Sequence, residues 1–131
     1  MPYNLLIVDD SKLARMAVAK ALKSREAEWN RVEAANADEA LAALKAGKID
    51  IAMLDFNMPG RDGLSLAAEM RLASPDMPVA IISANYQQEI VQRAKDIGAV
   101  FMAKPVTEDV LLQFLDGAVQ QIKAGGAAGE K

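Results

Sequence analysis

The sequence predicts a doubly wound α/β fold: a three-layer arrangement with a five-stranded parallel sheet between two layers of helices. Three observations predict it. Five short β-rich runs alternate with five longer runs of helical period along the 131 residues. Such alternation makes strands parallel, with right-handed crossovers and helices on both faces. Three of the strand runs are almost wholly apolar, as strands covered on both sides must be. Hydrophobic residues make up 52% of the chain and charged residues 25%, which suits one domain with a real core and no covalent staples.

The elements follow in order. The first strand is Leu5–Val8, cut off by Asp9 and Asp10. The first helix runs from about Ser11 to Arg25, with Ala14, Ala17, Val18, Ala21 and Leu22 as its stripe. Trp29 is expected to pack on that helix or stand partly exposed ahead of the second strand, Arg31–Ala34. The second helix opens at Asn36 with Glu39 three residues on, a capping-box pattern, and closes at Gly47. The third strand, Ile49–Leu54, leads into Asp55. Gly60 and Gly63 flank Arg61-Asp62 and read as turn residues before a third helix from Gly63 to Ala73. Pro75 ends it. The fourth strand, Val79–Ile82, leads to Ser83-Ala84, and the fourth helix runs from about Gln87 to Ile97, stopped by Gly98. The fifth strand, Val100–Ala103, runs into Lys104-Pro105. The last helix starts at Thr107, with Glu108 and Asp109 complementing its dipole, and carries a regular stripe from Val110 to Ile122. Residues 125–131 are Gly/Ala-rich and are expected to be a flexible tail on a domain spanning 1–124. Met16, Met53 and Met70 fall at core-like positions.

Composition excludes several chemistries. The chain has no Cys and no His. Disulfides, thiol catalysis, imidazole metal sites and a Ser-His-Asp triad are therefore ruled out. A metal must be held by oxygen, which points to Mg²⁺, Mn²⁺ or Ca²⁺. The net charge of −3 has the wrong sign for a general nucleic-acid binder. The first apolar run is too short for a signal peptide or a membrane span, so a cytoplasmic protein is expected.

The strand ends carry the chemistry. Strand one ends in Asp9-Asp10, strand three in Asp55, strand four in Ser83 and strand five in Lys104. All fall on the carboxyl edge of the sheet, where ligands bind in doubly wound folds. Taken singly, each has a plain alternative: Asp9 or Asp10 capping the first helix, Ser83 in a turn, Lys104 at a solvated strand end. Together, three carboxylates suit a hard divalent cation, and a lysine with a hydroxyl suits an anion of several oxygens. The chemistry suggested is phosphoryl transfer.

The segments LLIVDDS, MLDFNMPGRDG, IISA and MAKP resemble the receiver domain of bacterial two-component response regulators. Asp10, Asp55, Ser83 and Lys104 stand 45, 28 and 21 residues apart, which looks like that family's spacing. The resemblance implies a flavodoxin-like (βα)5 fold with a strand order of 2-1-3-4-5. It implies Asp55 as phospho-acceptor, Asp10 as a direct Mg²⁺ ligand, Asp9 acting mostly through water, and the backbone carbonyl of Asn57 completing the metal site. Ser83 matches the switch hydroxyl, Lys104 the lysine that pairs with the phosphoryl group, Phe101 the switch aromatic, and Pro105 the proline after that lysine, whose preceding peptide is usually cis in the family. Gly98 to Lys104 is six steps where the family more often has seven, so the turn into strand five is short; a permanently buried Phe101 is the alternative to a switching one.

The implied function is a stand-alone receiver, because one helix and a short tail follow Pro105. It is not a dedicated enzyme; its own site catalyses phosphorylation and dephosphorylation of Asp55. A histidine kinase or phosphotransfer protein donates the phosphoryl group, and the face of helix four, strand five and helix five binds a protein target. Neither nucleic acid nor membrane is expected as a partner. A monomer is expected, with dimerisation on phosphorylation left open. Asn57 and Asn85 are expected to flank the attacking water and tune the phosphoryl lifetime. The alternatives are a phosphorelay intermediate or phosphate sink, a flavin- or nucleotide-binding protein, and a small-substrate aspartyl-phosphate hydrolase. Asp9-Asp10 after strand one speaks against a bare phosphate loop, and Asn57 stands where such hydrolases generally place a second acid.

Overall fold

In a computed structural model, which describes residues 3–47, 49–58, 60–84, 87–104 and 106–129, five strands pair in parallel in the order β2-β1-β3-β4-β5. They are β1 (Tyr3–Val8), β2 (Trp29–Ala34), β3 (Ile51–Asp55), β4 (Val79–Ser83) and β5 (Val100–Ala103). The helices are α1 (Lys12–Ala21), α2 (Ala37–Ala46), α3 (Gly63–Ala73), α4 (Gln88–Asp96) and α5 (Glu108–Gly129). The doubly wound class and the strand order are as expected.

Strand side chains alternate between faces, and the core divides accordingly. Leu6, Val8, Leu54 and Ile81 pack with Ala40, Ala67, Met70 and Ile90 of α2, α3 and α4. Leu5, Ile7, Met53 and Met102 pack with Val18, Leu22, Leu111 and Leu115 of α1 and α5. Leu115 is 0% exposed. Leu115→Ala is expected to lower stability by about 2–5 kcal/mol, read from the urea midpoint, because the rigid sheet behind it cannot collapse into the gap.

Local signals explain most helix ends. Ser11 caps α1, its Oγ accepting the Ala14 N–H at 3.2 Å. Asn36 caps α2 by accepting the Glu39 N–H at 2.8 Å, and Glu39 accepts from Ala35 N–H at 2.9 Å, a capping box shifted by one donor. Thr107 accepts from the Val110 N–H at 3.3 Å at the head of α5. The short turn into β5 is made by Gly98 at φ +74°, with the Ala99 N–H reaching the Ala94 carbonyl at 2.8 Å.

The structure corrects several expectations. The first helix ends at Ala21 and gives way to 3-10 turns over Lys23–Glu28, kinked at Arg25. β1 and β2 begin two residues early, because Tyr3 pairs with Trp29 and Asn4 with Asn30. That pairing buries Trp29, whose ring centroid lies 5.3 Å from that of Tyr3, in one core cluster with Val18 of α1; of the two expectations, packing on the first helix holds and partial exposure does not. Met16 is 56% exposed, since the sheet holds α1 through Val18 and Leu22 rather than through its N-terminal half. The last helix runs to Gly129.

Candidate functional site

Asp9 follows β1 and is held from both sides. Its N–H donates to the Ala34 carbonyl at 3.1 Å, and its Oδ1 accepts the Ser11 N–H at 2.9 Å. The Arg15 guanidinium donates to the Asp9 carbonyl oxygen while its Nε reaches Glu33 at 2.9 Å. Because Ser11 is the cap of α1, the capping alternative for Asp9 and Asp10 is removed. Asp10 is exposed beside it.

Asp55 ends β3 at 3% exposure. The next residue, Phe56, donates its N–H to the Ile82 carbonyl at 2.8 Å, which anchors the strand end to β4. Ser83 ends β4 fully buried, and its carbonyl accepts the Lys104 N–H at 3.0 Å. Lys104, one residue past β5, sends Nζ to 3.0 Å from Asp55 Oδ1 and 3.6 Å from Asp9 Oδ2. The parallel register thus brings four strand ends to one edge, with Lys104 bridging two carboxylates.

The electrostatics are unbalanced. Asp55 Oδ1 is buried, and the Lys104 ammonium 3.0 Å away is the cation that meets it. Burial pushes the Asp55 carboxyl above its ordinary pKa; Lys104 opposes this, and the negative charges of Asp9 and Asp10 add to it. Burial alone would lower the Lys104 ammonium, but Asp55 and Asp9 more than offset it and hold it above its ordinary value.

A buried carboxylate oxygen without a partner is costly unless a cation or a donor meets it. One ligand oxygen each from Asp9, Asp10 and Asp55 falls within 4.8 Å of the others. An all-oxygen, carboxylate-rich set of that reach fits a hard divalent ion such as Mg²⁺, which takes one or two carboxylates and keeps its remaining waters.

Asn57 lies exposed in the loop after β3. Phe101 is half-buried in β5, against the core on the α2, α3 and α4 side. Asn85 and Pro105, both expected to act here, lie outside the described residues. Two features escaped the sequence reading. The Arg15 contact with Asp9 spans six residues and has no sequence pattern. Asp62, whose Oδ1 accepts the Ser65 N–H at 2.8 Å as the cap of α3, was legible as an acid just ahead of a helical run.

Comparison with known proteins bears on the family and the fold. A family model described as the response regulator receiver domain matches residues 5–116. The chain is 33% identical over 128 residues to the transcriptional regulatory protein PdtaR of Mycobacterium tuberculosis; the match covers 94% of this chain but 60% of that protein. So the chain spans less than two-thirds of that relative. It superposes on the chemotaxis protein CheY4 of Vibrio cholerae with a TM-score of 0.81 at 28% identity, covering 90% of this chain and 99% of that one. A CheX–CheY–BeF3–Mg²⁺ complex from Borrelia burgdorferi gives a TM-score of 0.82 at 29% identity, covering 91% of this chain and 90% of its match.

Proposed function

We propose, from the premise that this chain belongs to the response regulator receiver domain family, that it is a Mg²⁺-dependent phospho-acceptor whose acceptor is Asp55 and whose output is a protein–protein contact. Members of the family accept a phosphoryl group on an aspartate and work between histidine kinases and downstream targets. The observation that carries the residue assignment is the buried Oδ1 of Asp55, 3.0 Å from the Lys104 ammonium.

The chemistry follows from these groups. An Asp55 carboxylate oxygen attacks phosphorus; an O–P bond forms as the P–N bond of a donor phosphohistidine breaks, and the imidazole leaves with its electron pair. Asp9, Asp10 and Asp55 would hold the Mg²⁺, which supplies charge to the phosphoryl oxygens. Lys104 supplies a fixed positive charge on the same side. Ser83, buried at the end of β4 one residue past the register partner of Asp55, is assigned the switch role. Asn57 and Asn85 are assigned to the approach of the hydrolytic water.

The output face is proposed as α4, β5 and α5. α4 buries only Ile90 and Ala94 and has no side-chain cap, so moving it disturbs little packing. Val100 and Val110 are 49% and 43% exposed, beside a groove of about 450 Å³ along β5 and α5 that Phe101 also lines. Switching requires that the phosphoryl group contact the two states differently; Ser83 and Lys104 are the groups placed to do so. The net charge of −3 favours a protein target over nucleic acid. Among the described residues no helix is long and apolar enough to cross a membrane, and a monomer in the cytoplasm fits this role.

Incubation with acetyl phosphate tests the reading by intact mass. One phosphoryl group is expected with Mg²⁺ and none with EDTA; equal labelling in both would refute it. Asp10→Asn is expected to weaken Mg²⁺ binding by about 10-fold or more, the loss of one charged contact of roughly 1.5–3 kcal/mol. The same change should preserve or raise the metal-free urea midpoint, because it removes one like charge from the cluster. Isothermal titration and melts in EDTA check both halves.

A further inference from the structure

Gly63 opens α3, and its N–H donates to the Phe56 carbonyl at 3.0 Å, closing the loop that leaves Asp55. A Cβ at this position would overlap the carbonyl oxygen of Asp55 and stand 2.9 Å from its carbonyl carbon and 3.2 Å from Phe56 Cα. All three atoms are backbone, so no side-chain rotation relieves the clash. Gly63 has helical dihedrals, so its conformation alone does not require glycine; the closeness of the Asp55 backbone does. Gly60, in the same loop, is the opposite case. Its φ is +80°, yet a Cβ there meets nothing within 4 Å.

Phe56 is gripped from two directions: its N–H, in the Asp55–Phe56 peptide, donates to the Ile82 carbonyl of β4, and its carbonyl, in the next peptide, accepts from the Gly63 N–H of α3. We propose that Gly63 is a positioning residue for phosphoryl transfer, its missing side chain letting the first turn of α3 seat directly on the Asp55 backbone and fix the aim of the acceptor carboxylate. The proposal rests on the reading of Asp55 as acceptor. An added methyl must push this peptide or the α3 terminus aside, since every atom it meets is backbone. A displacement of about 1 Å at a reacting group costs on the order of 100-fold in rate. Asp62 holds the same turn, through its cap to Ser65.

The test compares Gly63→Ala, Gly60→Ala and wild type for the initial rate of labelling from acetyl phosphate at saturating Mg²⁺. Gly60→Ala is expected within about threefold of wild type, since it strains the loop without touching Asp55, and Gly63→Ala about 10–100-fold slower. Both should keep the near-UV circular dichroism of the Tyr3–Trp29 pair. The fluorine NMR lines of the beryllofluoride complex, which reports the geometry around Asp55, should move in Gly63→Ala and stay in Gly60→Ala. Wild-type labelling and unmoved lines in Gly63→Ala, or equal loss in both glycine variants, would overturn the proposal. If Gly63→Ala does not fold, Asp62→Ala decides: it frees the same turn without adding an atom beside Asp55, and labelling at the wild-type rate would sink the idea. No label on wild type would instead overturn the acceptor assignment itself.

Discussion

Asp55→Asn is expected to gain no phosphoryl mass from acetyl phosphate and Mg²⁺, while remaining folded. An amide oxygen is a far weaker nucleophile than a carboxylate and forms no stable acyl phosphate. The same variant should be more stable than wild type in metal-free buffer at neutral pH. The sign comes from burial, which raises the Asp55 pKa in the folded state despite Lys104. A carboxyl raised in this way contributes stability that is fully present below its unfolded pKa, about 3.9 for Asp, and lost as pH rises through the folded value. The advantage of the amide therefore appears above that window and vanishes below it, where the wild-type carboxyl is also neutral. Urea melts in EDTA at neutral and strongly acidic pH check this. Full labelling of the variant would move the acceptor elsewhere, and a wild-type midpoint higher than the variant's at neutral pH would contradict the electrostatic account.

Lys104→Ala carries the second large effect. The ammonium sits 3.0 Å from Asp55 and 3.6 Å from Asp9, with its side chain 34% exposed, so truncation opens no core cavity and the fold should survive. It removes a preorganised charge from where the phosphoryl oxygens gather. Loss of one such group typically costs on the order of 100-fold in rate. It also removes one of the two side chains placed to distinguish the phosphorylated state. Amide shifts on α4 and β5 upon adding beryllofluoride should shrink relative to wild type. Undiminished shifts with normal labelling would leave Lys104 as a counter-charge for Asp55 and nothing more.

The order of elements, the parallel class and the gathering of Asp9, Asp10, Asp55, Ser83 and Lys104 at one edge were determined by the sequence alone. Those features depend on hydrophobic period, on caps such as Asn36 with Glu39, and on which residue follows each apolar run, and all of these are local. Tertiary structure decided the rest. Ser11 rather than an aspartate caps α1, which leaves both carboxylates to the site. Trp29 is buried because β2 starts opposite Tyr3, and Met16 faces out because α1 leans on the sheet through Val18 and Leu22. The loop reading of Gly60 and Gly63 treated two glycines alike; the fold separates them, one serving a left-handed turn and the other the approach of α3 to Asp55. Each of these outcomes is a distance between segments far apart in sequence. Such distances are set when sheet register and helix packing are satisfied together, and neither is written in any local window of residues.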